Sequence, residues 1–248
     1  MVGGRFPMSE IRLINGFEIE CRGAAHLSAG SQRLLAFLAV GSGPLQRSYV
    51  AGSLWPDTSE DRAKANLRTA LWQLGRSGPP LVASSRSHLH LAAGVSVDLH
   101  DAAAAAHRVL RDPDSASLAD CRWPSLRGDL LPDWYDEWLI SFRERFLDLR
   151  LHALEAACRR LGRLGHVGEA VEAGRAAVGA EPLRESSNRV LVETYIAYGN
   201  LAAAIRQFNV YRRALRREIG VEPSHLMLSM IGAIQSRVAR VEREEVAS

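Results

Sequence analysis

At 248 residues the chain is roughly 1.7 times a ~150-residue domain, so one large or two modest domains with a real core are expected. Its 47% hydrophobic and 24% charged composition is ordinary for a globular protein, and a net charge of +3 is too small, as a total, to announce a polyanionic partner. The charge is unevenly placed: residues 1–95 hold ten basic and six acidic side chains, residues 96–248 hold 21 and 22, and the acid-free run 62–97 carries Arg62, Lys64, Arg68, Arg76 and Arg86.

Other classes are excluded early. The longest apolar run, Leu34 to Val40, has seven residues against the ~18 of a membrane span, and Met1 to Glu10 has no signal-peptide core. A soluble, cytoplasmic protein with no membrane partner is expected. Cys21, Cys121 and Cys158 follow no zinc or disulfide spacing, so three buried small hydrophobes are expected and no metal site. The single lysine, Lys64, has no glycines before it and no Ser or Thr after it, which rules out a Walker A phosphate loop.

The chain opens on two short strand signals, Ile11–Ile14 and Phe17–Glu20, around Asn15-Gly16, a dipeptide suited to a two-residue hairpin turn. From Ser31 the apolar residues Leu34, Leu35, Leu38 and Ala39 recur at helical period and stop before Gly41. A second helix, with Ser48 as its expected cap, runs through Val50 and Leu54 to Trp55-Pro56, because the residue before proline is pushed out of the α region.

The third helix is expected from Ser59, as cap, to Leu74 or Arg76. Glu60 and Asp61 suit its positive end. Ala63, Leu67, Ala70, Leu71 and Leu74 form its apolar stripe. The opposite face holds Arg62, Ala65, Thr69, Trp72, Gln73 and Arg76, flanked by Asn66 and Arg68; such side chains match base edges and phosphates. Leu81–Ala83 and His88–Leu91 then form a second hairpin with Arg86 at its tip. Helix, helix, basic helix and hairpin is the order of a winged helix-turn-helix. His88 and His90 share a strand face, but with no third ligand nearby they read as surface residues.

A change to Ala-rich helical sequence places a domain boundary near residues 95–97, with Asp98 as cap of a helix over Leu99–Arg111. Trp134, Tyr135 and Trp138 are expected to anchor the core. Asp133, Asp136 and Glu137 read as cap and dipole partners rather than a catalytic carboxylate pair. At an offset of 34 residues Leu161, Gly165, Ala170 and Ala177 recur as Tyr195, Gly199, Ala204 and Tyr211, the tetratricopeptide period. Pro182 closes the first repeat. Flanking helices over 133–152 and 224–240 are needed to complete the stack. The fold class is therefore mainly α with small β-hairpins, a winged helix-turn-helix over 1–96 followed by tetratricopeptide-like helices over 97–248.

The stretch Ser31–Leu38, the Leu54-Trp55-Pro56 end of the second helix, the Ala63–Leu74 helix, the Val97-Asp98 junction and the Tyr211–Pro223 tail together resemble the Streptomyces antibiotic regulatory protein family, over nearly the whole chain. The resemblance implies an OmpR-type winged helix joined to a bacterial transcriptional activation domain. It implies an activator that binds direct repeats in double-stranded promoter DNA, as a head-to-tail dimer, and recruits RNA polymerase to pathway-specific genes of secondary metabolism. The protein would then be nucleoid-associated. Lacking a Walker A loop, the chain resembles the small, stand-alone form of the family.

Carried onto this sequence, Arg62, Lys64, Asn66, Arg68, Thr69, Trp72, Gln73 and Arg76 are the implied DNA contacts of the third helix, and Arg86 that of the wing tip. Trp72 stands where smaller polar residues are common, its indole reaching DNA or packing on the wing. The short turn Trp55-Pro56-Asp57-Thr58 corresponds to a polymerase-contacting segment. No cofactor and no catalytic residue is implied. The rival readings are a tetratricopeptide adaptor that binds protein and a helical module that senses a small effector; an enzyme is disfavoured by the absence of GxSxG, GxGxxG and HExxH motifs.

Overall fold

The structure, a computed structural model, describes residues 9–21, 27–41, 43–76, 78–122, 124–233 and 236. It divides into two compact units, the first drawn from 1–104 and 128–147 and the second from 105–127 and 148–248. Among the described residues no helix is long and apolar enough to cross a membrane.

The first unit holds β1 (Ser9–Arg12), β2 (Glu18–Cys21), α1 (Ala29–Val40), β3 (Leu45–Gln46), α2 (Arg47–Leu54), α3 (Glu60–Arg76), β4 (Val82–Ser84), β5 (His88–Leu91) and β6 (Val95–Val97). One sheet has the order β2-β1-β6, with β6 parallel to β1; the other has β3-β5-β4. The N-terminal hairpin forms, but not with a two-residue turn: Arg12 pairs with Glu18, which leaves 13–17 in the loop. Other partners outcompete the predicted pairing. The Leu13 and Ile14 amides donate to the Asp98 carboxylate at 2.9 and 3.0 Å, and Leu13 and Asn15 bond the backbone of Leu131 and Asp129 at 2.8 Å. Asn15 and Gly16 do take positive φ, at 70° and 140°. Gly128 is needed beside them, since a Cβ there would lie 2.4 Å from the Ile14 side chain.

Helix α1 begins two residues before the predicted Ser31 and is capped by Ser28, whose Oγ accepts from the Ser31 amide; every residue from Leu34 to Val40 is buried. Helix α2 starts at Arg47 with no side-chain cap, so Ser48 is its second residue and not the expected cap. Wing strands β4 and β5 pair as predicted to within a residue, Val82 opposite Leu91. Strand β3, which extends this sheet, and β6 were not anticipated.

Residues 128–147 return to the first unit. Trp134 stacks on Phe17 at 5.7 Å, Trp138 meets Phe37 edge-on at 5.0 Å, and Arg143 donates to the carbonyls of Leu130 and Leu131. Tyr135, expected as a third core anchor, is 92% exposed; it falls in the irregular stretch before the helix, where the helical period that would have faced it inward does not apply. Asp136 directly precedes the helix that starts at Glu137; its carbonyl accepts from the Leu139 amide at 3.0 Å and its carboxylate pairs with Arg33 of α1, and Glu137 lies in the first turn.

In this chain α4 (Asp98–Arg111), α5 (Leu118–Cys121) and a 3-10 turn (Pro124–Arg127) precede α6 (Glu137–Arg163). Asp98 opens α4 but its oxygens serve the Leu13, Ile14 and Leu99 amides, so it is a tie between strands and helix more than a cap. Helix α6 runs unbroken, so the helix expected over 133–152 starts at Glu137 and continues through Leu161 as one element.

The second unit continues with α7 (Val167–Ala180), α8 (Glu185–Ala197) and α9 (Leu201–Glu218). The 34-residue repeat is realised in the turns. Gly165 and Gly199 have φ of 81° and 72°, and the next amides, of His166 and Asn200, donate to the carbonyls of Leu161 and Tyr195 at 2.9 Å. Ala170, Ala177, Ala204 and Tyr211 are all buried. Gly174 lets α7 approach closely, a Cβ there lying 3.0 Å from Leu191 and 3.2 Å from the Cys158 sulfur. Beyond α9, residues 225–233 are helical and bury Met227 and Ile231 against Tyr211 and Leu215; of the predicted helix over 224–240, residues 234–235 and 237–240 lie outside the described residues. Cys121 and Cys158 are buried as expected, but Cys21, on an edge strand, is half-buried.

Candidate nucleic-acid interface

Helix α3 is set by its two faces. Ala63, Leu67, Ala70 and Leu74 are buried toward α1 and α2, with Leu71 half-buried beside them. Ser59 opens the helix as predicted: its Oγ accepts from the Arg62 amide at 3.4 Å and its carbonyl from Ala63 at 2.9 Å. On the other side Arg62, Arg68, Thr69 and Arg76 are exposed and Trp72 is 61% exposed. The acids stay in the first turn.

Individual side chains on this face differ in what they have left to offer. Arg62 and Arg68 make no ion pair among the described residues. Lys64 is bound to Glu60 at 2.5 Å, a hydrogen bond that raises the lysine and lowers the carboxyl from their ordinary values. The Thr69 hydroxyl donates back to the Ala65 carbonyl at 3.1 Å. Arg76 lies over the Trp72 ring at 4.9 Å and the indole is 61% exposed, which makes a flat cation–aromatic shelf at the exit of the helix. Asn66 is half-buried. Gln73 turns inward: its Oε1 accepts from Ser28 at 2.5 Å and Ser31 at 3.2 Å, which locks α3 onto the N-terminal cap of α1.

The wing tip, Ser85–Ser87, is closed by the Ser85 amide bonding the His88 carbonyl at 2.9 Å, and Arg86 stands exposed on it. Arg47 was missed in the sequence. Its amide donates to Ser87 at 2.9 Å and its guanidinium to the Ser85 carbonyl at 3.4 Å, placing a second cation beside Arg86. The signal available was a cation at the first residue of a helix, but its neighbour exists only because β3 pairs with β5. His88 bonds Ser87 at 2.9 Å, and no metal-binding group of three or more side chains occurs among the described residues.

Trp55-Pro56-Asp57-Thr58 forms a closed turn after α2. The Thr58 amide and hydroxyl both donate to the Trp55 carbonyl, at 3.3 and 3.1 Å. It makes one wall of an open cleft of about 790 Å³ within the first unit.

Comparison with known proteins adds three findings. A family model described as bacterial transcriptional activator domain matches residues 97–235. The regulatory protein AfsR of Streptomyces griseus is 28% identical over 248 residues, covering 90% of this chain and 24% of its own length, so the chain spans about a quarter of that relative. A structure of Mycobacterium tuberculosis EmbR in complex with a low affinity phosphopeptide superposes with a TM-score of 0.62 at 19% identity, over 93% of this chain and 65% of that one, less than two thirds. That likeness concerns the fold, a winged helix-turn-helix followed by tetratricopeptide-like helices.

Proposed function

The chain belongs to the bacterial transcriptional activator domain family, as a regulator of the Streptomyces antibiotic regulatory protein type, and from that premise we propose that it binds promoter DNA sequence-specifically and recruits RNA polymerase. The observation that carries the reading is the outer face of α3, where Arg62, Arg68 and Arg76 stand exposed on a helix free of acids after its first turn. Arg62, Asn66, Arg68 and Thr69 are assigned to bases and phosphates, Trp72 and Arg76 to the backbone at the helix exit, and Arg86 with Arg47 to the wing contact. Gln73 positions the helix. Lys64 adds charge once its Glu60 bond opens.

Division of labour follows the sequence boundary, 1–96 for DNA and 97–248 for activation, in a cytoplasmic, nucleoid-associated protein. The Trp55–Thr58 turn is assigned to polymerase, the target to direct repeats in promoters of secondary-metabolism genes, and the bound form to a head-to-tail pair, since tandem half-sites call for a heterologous contact. No catalytic role is assigned.

A mobility-shift titration on promoter DNA tests this. Four to five neutralised phosphates at ~0.9 counterion each give a log-log salt slope on the order of −4 per protomer. Arg68→Ala is expected to cost about 1–3 kcal/mol on the operator alone if it reads a base, and equally on random DNA if it holds a phosphate. Absent or salt-insensitive binding would sink the reading.

A further inference from the structure

The cleft beside the Trp55–Thr58 turn shares no lining residue with the face assigned to DNA. One wall is Tyr49 and Ser53 of α2 with the turn itself; the other is the stretch from Tyr135 to Arg145. Phe37 of α1 joins them, its ring 5.7 Å from Tyr49 and 5.0 Å from Trp138, which is 6.5 Å from Phe142. A row of aromatic rings thus underlies the cleft. Tyr135, 92% exposed, and Tyr49, 55% exposed, stand open at its sides.

Charge decides what such a cleft can take. Arg33 pairs with Asp136, and Arg145 lies over the Phe142 ring at 4.8 Å and donates to the Ser141 carbonyl at 3.2 Å, which holds it in place without cancelling its charge; the three carboxylates of the lining, Asp57, Asp136 and Glu137, still outnumber these two cations. Asp57 and Glu137 also line it, are exposed, and make no ion pair among the described residues. Open aromatic faces beside uncommitted carboxylates are the chemistry that holds a guanidinium or ammonium group. The same carboxylates repel a phosphate backbone.

We propose that this cleft docks a basic segment of a partner protein, an arginine or lysine side chain lying between Tyr49 and Tyr135 with its charge against Asp57 and Glu137. The proposal rests on reading the Trp55–Thr58 turn as a protein-contacting loop, and it adds the chemistry of what is contacted. A volume of about 790 Å³ accommodates two or three side chains of an extended peptide.

Fluorescence anisotropy of the full chain with a dye-labelled pentapeptide of alternating leucine and arginine, and with its leucine–glutamate counterpart, tests it. The basic peptide is expected to bind about tenfold more tightly at low salt, and Asp57→Asn combined with Glu137→Gln to remove most of that preference. Tyr135→Ala, at a side chain too exposed to hold the fold, is expected to weaken binding about fivefold. Equal affinity for the two peptides, or an unchanged preference in the double variant with an unchanged melting curve, overturns the proposal. Free argininamide competing at the peptide's own concentration also overturns it, by assigning the cleft to a small cation. Run-off transcription with Asp57→Ala separates the two readings: lost activation without peptide discrimination keeps the polymerase loop and removes the basic segment.

Discussion

In the first unit Arg62, Arg68 and Arg86 stand exposed and make no ion pair among the described residues, whereas in the second Arg108, Arg122, Arg163 and Arg184 lie 2.7, 2.7, 2.5 and 3.1 Å from the carboxylates of Asp120, Glu169, Asp114 and Glu155. The residue type is the same and the supply of acids differs. Exposed pairs are each worth only about 0–1 kcal/mol, so pairing adds little stability; its main effect is to cancel field. Unpaired cations on one face add up instead, into a potential that reaches an approaching polyanion. Arg12 and Arg33, paired within the first unit, mark one limit of the contrast, and Arg111, Arg206 and Arg213, exposed in the second unit without an ion pair among the described residues, mark the other.

The sharpest way to break this comparison is to reverse the charges. Arg62→Glu with Arg68→Glu removes two contacts of about 1–3 kcal/mol each and adds repulsion, so DNA affinity should fall at least a hundredfold, read by mobility shift. The melting midpoint should stay where it was, because neither side chain holds anything in the fold. A variant that unfolds while its folded fraction still binds DNA normally would place these arginines with the paired ones.

Arg184→Ala is the converse experiment and the next in size. Glu155 is 5% exposed and accepts from Arg184 at 3.1 Å, Ser186 at 2.7 Å and Ser187 at 2.7 Å. Removing the guanidinium leaves a buried carboxylate with hydroxyl donors only, at a cost of about 2–4 kcal/mol in a denaturant melt. DNA affinity below the transition should not change. A loss under about 0.5 kcal/mol would show that the hydroxyls alone suffice to hold this charge.

These three arginines also show how far a sequence can be read. Arg62 and Arg68 were legible because an amphipathic helix displays its faces at a fixed period, and the same holds for the glycine turns at 165 and 199, where a left-handed backbone selects the residue. Arg184 carried no such signal; its partner lies 29 positions away on another helix. Strands β3 and β6, of two and three residues, are too short to show a period and exist through pairing with β5 and β1. Gln73 and Tyr135 show what the helical period leaves unread. The glutamine on a polar face found hydroxyl partners at the start of α1, and the aromatic between two half-buried tryptophans lies on irregular backbone outside the helical period and stays exposed.

Acid is the mildest probe of the comparison, and it acts on the two units with opposite sign. In the second, hydrogen bonds from Arg108, Arg122 and Arg212 hold Asp120, Glu169 and Glu222 below the usual carboxylate range. Burial pushes Glu185 upward, but hydrogen bonds from Ser224 and Tyr211 outweigh it and the net shift is down. A lowered folded value contributes stability that is present above the unfolded pKa and is lost as pH falls through the folded one, here below the usual carboxylate range. In the first unit Asp98 moves the other way, raised by burial against the amides of Leu13, Ile14 and Leu99. Its contribution is complete below the unfolded pKa and is lost as pH rises through the raised folded value. As pH falls below the usual carboxylate range, hydrogen exchange corrected for intrinsic rate should therefore lose protection in α8 and α9 before β1 and β6. Glu60, lowered by Lys64, offsets part of the first unit's gain but sits at the exposed start of α3 rather than in the sheet. Earlier loss in the β1–β6 pair would mean that the charged Asp98 carboxylate, despite its burial, is what holds the Leu13–Ile14 loop in place.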